Sequence, residues 1–195
     1  MTSKVVYRFY PSLLNTYSRF LQGKISEQEV LDRINRVPIP QTEAQFRGVS
    51  FEDAVLKKIG EEQFDPQIIA TVRQKLPSPI VKTQAYCQYQ VGDVMIYGFV
   101  DVVGRKEAVD IKTTSHLRNP TVFTRPPKLL FTSSLRRGVR QMRYLITDFV
   151  GVYEEIYRSA SADFEGQLEE LYSFKMFLEE HREQITDAKI FAKKK

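Results

Sequence analysis

The spacing of apolar residues changes period along this chain. From residue 12 to 76 they recur three and four apart, as on helices, and from 80 to 114 they crowd and alternate, as in strands. Ser12 stands at the head of LLNTYSRFLQG, a predicted helix closed by Gly23. Ser26-Glu27-Gln28-Glu29 has the form of a capping box before VLDRINRV, and Pro38-Ile39-Pro40 ends that segment. Ser50-Phe51-Glu52-Asp53 is read as the opening of a third helix, with Ala54, Val55, Leu56 and Ile59 on its apolar positions. A fourth runs over 65–76 with Pro66 in its first turn. Strand-like runs follow at 80–91, 94–103 and 107–114, the first two joined by a Gly92-Asp93 turn. After a proline-containing loop at 116–131, the pattern predicts a helix over about 133–148 and a strand over 151–160. An acidic amphipathic helix over 163–185 completes it. One α/β (α+β) domain over 1–195 is expected, a central mixed β-sheet flanked by helices.

Two aspartates and a lysine interrupt the apolar strands at "YGFVDVVGRKEAVDIKTTS". If Arg105 and Lys106 form a two-residue loop, Gly104 lies opposite Glu107 and Asp101 opposite Asp110. Lys112, two residues beyond Asp110, shares their face, and Val100, Val102, Val109 and Ile111 take the other. Opposed carboxylates repel unless a positive charge lies between them. A divalent cation with oxygen ligands, magnesium or manganese, answers that need. The alternative is an exposed hairpin face whose charges make weak surface pairs.

Composition narrows the choice. A content of 42% hydrophobic and 27% charged residues is that of a folded protein. Neither a membrane-length apolar run nor a signal-peptide core is present, so a cytoplasmic protein is expected. Cys87, the only cysteine, excludes an intrachain disulfide, a multi-cysteine zinc site and a cysteine-bound iron–sulfur cluster. The net charge of +5 is unevenly spread. Residues 116–147 carry seven Lys or Arg and no acid, whereas 148–187 carry eleven acids against three bases. Such segregation presents a positive face to a polyanion, or a solvated basic helix.

The hairpin Asp101…Asp110-Ile111-Lys112 resembles the signature of the PD-(D/E)XK nuclease superfamily, closest to its RecB-like and lambda-exonuclease-like branches. Four features fall in the same order as in that group. They are Ser12-Leu13-Leu14-Asn15-Thr16-Tyr17, Gly48-Val49-Ser50-Phe51-Glu52 as a Gly-x-x-x-(His/Glu) element, Thr113 after Lys112, and Gln141-Met142-Arg143-Tyr144. The resemblance implies a restriction-endonuclease-like core and a Mg²⁺-dependent DNA nuclease, of phage-recombination or DNA-repair exonuclease type, with Mn²⁺ as a substitute metal. It implies Asp101 and Asp110 as metal ligands, Glu52 as a third, and the Ile111 carbonyl as a further oxygen. Lys112 would then orient the attacking water, and Gln141 would hold substrate or Lys112 from a helix. Arg118, Arg136, Arg137, Arg140 and Arg143 would track the DNA backbone, and a recombination or helicase protein is a conceivable partner.

Other readings stay open. Glu52 fits a helix's first turn on dipole grounds, Gln141 fits a solvated helix face, and Tyr144 fits core packing beside Leu145 and Ile146. His116 and His181 lack metal-ligand spacing and receive no role. An endonuclease on the same fold, or a DNA-binding subunit with a vestigial site, are the rival functions.

Overall fold

A six-stranded mixed sheet organises the chain, in a computed structural model that describes residues 4–114, 139–158 and 164–192, with 164–167 as backbone only. Strand β1 (Tyr7–Phe9) leads into helices α1 (Pro11–Leu21), α2 (Glu27–Ile34), α3 (Glu43–Lys57) and α4 (Pro66–Gln74). Strands β2 (Lys82–Val91), β3 (Val94–Val103), β4 (Glu107–Thr113), β5 (Gln141–Thr147) and β6 (Val152–Arg158) follow, then helix α5 (Phe164–Glu180). This is the expected α/β class. Among the described residues no helix is long and apolar enough to cross a membrane.

Local chemistry sets most boundaries. The Ser26–Glu29 box caps α2, and Asp65 caps α4 through its bond from the Gln67 N–H at 2.7 Å. Two expected starts move. Helix α1 begins at Pro11 with Tyr10 as its cap, so Ser12 lies inside the first turn. Helix α3 begins at Glu43, capped by a Thr42–Gln45 box, so Ser50 and Glu52 sit in mid-helix and Glu52 loses the proposed dipole explanation.

Strand β3 is the hub of the sheet. Along one edge it pairs antiparallel with β2, Val91 opposite Val94, across a turn in which Gly92 has φ +56°. Its other edge is shared: β1 runs parallel to the first residues, Tyr7 opposite Val94, and β4 antiparallel to the last, Val102 opposite Val109. Between those pairings, residues 97–101 have no ladder partner on that edge among the described residues. Gly104 donates its N–H to the Glu107 carbonyl at 2.8 Å, closing the hairpin in the predicted register.

The two sheet faces bury different clusters. Val102, Val109, Ile111 and Leu145 pack against Phe51, Ala54, Ile69 and Val72 of α3 and α4. Val103, Ala108, Met142, Tyr144 and Ile146 form a second cluster with Ala85 and Cys87. Val100 joins this second cluster rather than the face of Val102 that strict alternation predicts. The alternation breaks at Asp101, opposite which Gln84 of β2 has φ +45°. A third cluster joins β1, α1, α2 and α5 to Val94 and Ile96 of β3. There His181, given no role from sequence, is buried, with Nδ1 at 3.0 Å from the Phe177 carbonyl and Nε2 at 3.1 Å from Glu27.

The largest departure is the helix expected over 133–148. Residues 141–147 instead form β5, parallel to β4 and antiparallel to β6, with Asp110 opposite Tyr144. Arginines at helical spacing masked a short apolar run that suits a strand buried inside a sheet. Arg143 is correspondingly a structural cross-link rather than a free DNA contact. Its guanidinium meets Glu107 at 2.8 Å and Glu154 at 3.0 Å, and donates to the Lys75 carbonyl at 2.6 Å. Only 12% of the side chain is exposed. Truncating one member of such a part-buried network costs about 2 kcal/mol. Arg143→Ala is therefore expected to lower the unfolding free energy in urea by about that much, and a loss below about 1 kcal/mol would place the pairs with ordinary surface bridges.

Candidate active site

Four elements converge where β3 and β4 part. Asp101 ends the unpaired stretch of β3, and its Oδ2 accepts the Ile111 N–H of β4 at 2.8 Å. A carboxylate thus replaces the ladder at the level where the two aspartates face each other. Asp101 is 8% exposed and Asp110 5%. Lys112, on the same strand as Asp110, touches its Oδ2 with the ammonium, while 43% of the lysine side chain remains open to solvent. Glu52 arrives from α3.

The glycine of the Gly-x-x-x-Glu element has a steric job. A Cβ on Gly48 would lie 2.8 Å from the Thr113 hydroxyl, so its absence lets α3 close onto the end of β4. Glu52, four residues on, shares that face of the helix. It lines a groove of about 700 Å³ together with Arg33, Gln45, Gly48 and Lys112. Gln84 links Glu52 to Asp101: its Nε2 donates to Glu52 Oε1 and, at 3.3 Å, to Asp101 Oδ1. No motif marked Gln84, although the Gly92-Asp93 turn fixes it opposite Asp101 by simple counting.

The electrostatics are those of a site short of positive charge. Burial, then the neighbouring Asp110 charge, pushes the Asp101 carboxyl up to about 8, against the pull of Lys112. Burial also raises Glu52, with Lys112 opposing and Asp110 adding to the shift. Burial works against the Lys112 charge, but Asp110 and Asp101 hold the ammonium above its usual value. Three carboxyl groups thus share one ammonium in a poorly solvated corner.

The donor set suits a hard cation. Among the described residues, no three acidic, histidine or cysteine side chains form a ready-made metal cage. Magnesium does not require one: it is held by one or two carboxylates and keeps several waters. Asp101 and Asp110 could hold a cation in that way, and Glu52 is tied to Asp101 through the Gln84 amide. At Ile111 the contact made is through the N–H to Asp101, while its side chain packs in the α3–α4 cluster.

Other expected residues are not brought here. Gln141 starts β5 and donates to Glu107 at 3.1 Å. It sits opposite Glu107, five residues along β4 from Lys112, about 17 Å away. Tyr144 is core, as expected, 2% exposed and edge-on to Tyr157. Arg140 is exposed ahead of β5. Arg118, Arg136, Arg137 and His116 lie outside the described residues.

No protein-family model matches the chain, and no curated protein matches it in sequence. Among solved structures, a candidate exonuclease from Eubacterium rectale superposes with a TM-score of 0.55 at 14% identity, over 94% of this chain and 83% of that one. SSO0001 superposes at 0.47 with 12% identity, over 89% of this chain and 78% of that one. Rai1 from Scheffersomyces stipitis does so at 0.32 with 18% identity, over 85% and 48%. The first shows a shared fold; the other two superpose too loosely to establish one.

The raised Asp101 carboxyl has a consequence for stability. Between its ordinary value of 3.8 and about 8, the folded protein holds a proton that the unfolded chain has released. Stability therefore falls as pH rises through that window. Metal-free protein is expected to melt at progressively lower temperature from about pH 5 to about pH 8.5, and Asp101→Asn to lose most of that slope. A flat or rising profile in the unsubstituted protein would contradict the electrostatics described.

Proposed function

We propose that the protein is a Mg²⁺-dependent deoxyribonuclease, with Mn²⁺ able to substitute, and that it acts as an exonuclease. The observation that carries this reading is the gathering of Asp101, Asp110, Lys112 and Glu52 where β3 and β4 part. The shared fold with a candidate exonuclease supports it, as does consistency with a PD-(D/E)XK-like core.

Each residue has a task in phosphodiester hydrolysis. Asp101 and Asp110 hold the cation. When bound, the metal lowers the pKa of water and polarises the phosphate. Lys112, kept protonated by its aspartate neighbours and partly open to the groove, donates to the attacking water and stabilises negative charge growing on the phosphorus oxygens. Glu52, tied to Asp101 through the Gln84 amide, orients water beside the aspartates. The groove admits the strand being cut, with Arg33 as a cation along it. Arg140 and the basic residues Arg118, Arg136 and Arg137 contact the DNA backbone. Such contacts carry no base information, so selectivity falls to a DNA end.

Lys112→Ala is expected to reduce turnover by at least about a hundredfold while DNA affinity stays near that of the unsubstituted protein. With Mg²⁺, end-labelled linear duplex should be degraded to mononucleotides or short products while relaxed closed circles survive, and EDTA should stop the reaction. Circles nicked as fast as linear DNA disappears would assign an endonuclease instead. Full activity of Lys112→Ala would remove the lysine from the chemistry.

A further inference from the structure

We infer that Gln84 is a positioning residue for the metal site: its amide fixes Glu52 of α3 over Asp101 of β3. The inference rests on the metal-dependent reading above and adds a residue that the motifs do not contain.

Three observations carry it. The Gln84 Nε2 donates to carboxylates from two separate elements, Glu52 and Asp101. Both are acceptors, so an amide N–H₂, with two donors on one atom, can join them without carrying a charge. The Gln84 backbone has φ +45°, which disfavours a residue with a Cβ and suits glycine. A non-glycine residue kept in such a conformation at a site points to work done by its side chain. Register, finally, leaves little choice of position: Thr83 opposite Val102 and Ala85 opposite Val100 put Gln84 directly across from Asp101.

The consequence is mechanical. Helix α3 closes onto β4 at Gly48, and within the groove the amide ties the Glu52 side chain to Asp101. With the restraint, Glu52 stays beside the aspartates as an outer ligand partner. Residues of this kind tune metal affinity by about 10- to 100-fold.

The test uses full-length protein and Mn²⁺ alone, titrated calorimetrically, alongside the melting temperature with and without Mn²⁺. Gln84→Gly relaxes the backbone and removes the amide, two effects that offset each other in metal-free stability. Its Mn²⁺ affinity should fall about tenfold, with a smaller metal-induced rise in melting temperature. Gln84→Asn, too short to span both carboxylates, should resemble Gln84→Gly. Unchanged or tighter Mn²⁺ binding in Gln84→Gly would overturn the inference, the tighter case meaning that the amide competes with the metal. If the unsubstituted protein bound no Mn²⁺, the metal-dependent reading itself would fall and this inference with it.

Discussion

Two carboxylates face each other at the level where a β-hairpin stops being a hairpin, and the site is built around that repulsion. Asp101 and Asp110 are both nearly buried, so neither can relieve its charge by hydration. The surrounding chain relieves it piecemeal. The Ile111 N–H turns to Asp101 Oδ2, the Lys112 ammonium to Asp110 Oδ2, and the Gln84 amide to Asp101 Oδ1. Burial first, and then the Asp110 charge that these contacts leave uncompensated, raise the Asp101 carboxyl. Such a corner is unfavourable for folding and favourable for binding a cation.

The packing around it serves to keep the aspartates in place. Behind Asp101 and Asp110, Val102, Val109 and Ile111 lock the hairpin onto α3 and α4. Beside them, β5 adds a parallel strand along the whole of β4, so Lys112 extends from a strand paired with β5 on one side and parted from β3 on the other. Arg143 ties that pairing to β6 and to the end of α4. The opening at residues 97–101 of β3 follows from β1 and β4 sharing a single edge. A sheet continuous there would have consumed the Ile111 N–H and taken that donor from Asp101 Oδ2.

Local signals were legible where they were chemically specific. The Gly104–Glu107 turn set the hairpin register, and with it the pairing of the two aspartates and lysine, from sequence alone. The Ser26–Glu29 box and Asp65-Pro66 likewise marked helix starts that the structure keeps. Failures came where two local readings competed. Thr42 and Gln45 form the same kind of box as Ser26 and Glu29, but Ser50-Phe51-Glu52-Asp53 offers a competing start inside the same helix. In β5, arginines at helical intervals outweighed the Met142–Ile146 apolar run, whose burial depends on β4 and β6 and cannot be seen locally. Strand β1, at three residues, is too short to show a period. Gln84 was within reach, because the Gly92 turn that joined the predicted strands also counts back to it. Glutamine in a strand simply carries no motif.

The central claim is that the Asp101–Asp110 pair is a cation site. Crystals grown with Mn²⁺, measured on the manganese absorption edge, test it directly through the anomalous difference map. A manganese peak between the Asp101 and Asp110 carboxylates, bridging the parted ends of β3 and β4, is the predicted result. Ordered density for both side chains without a peak there, or manganese bound only elsewhere, would contradict the account.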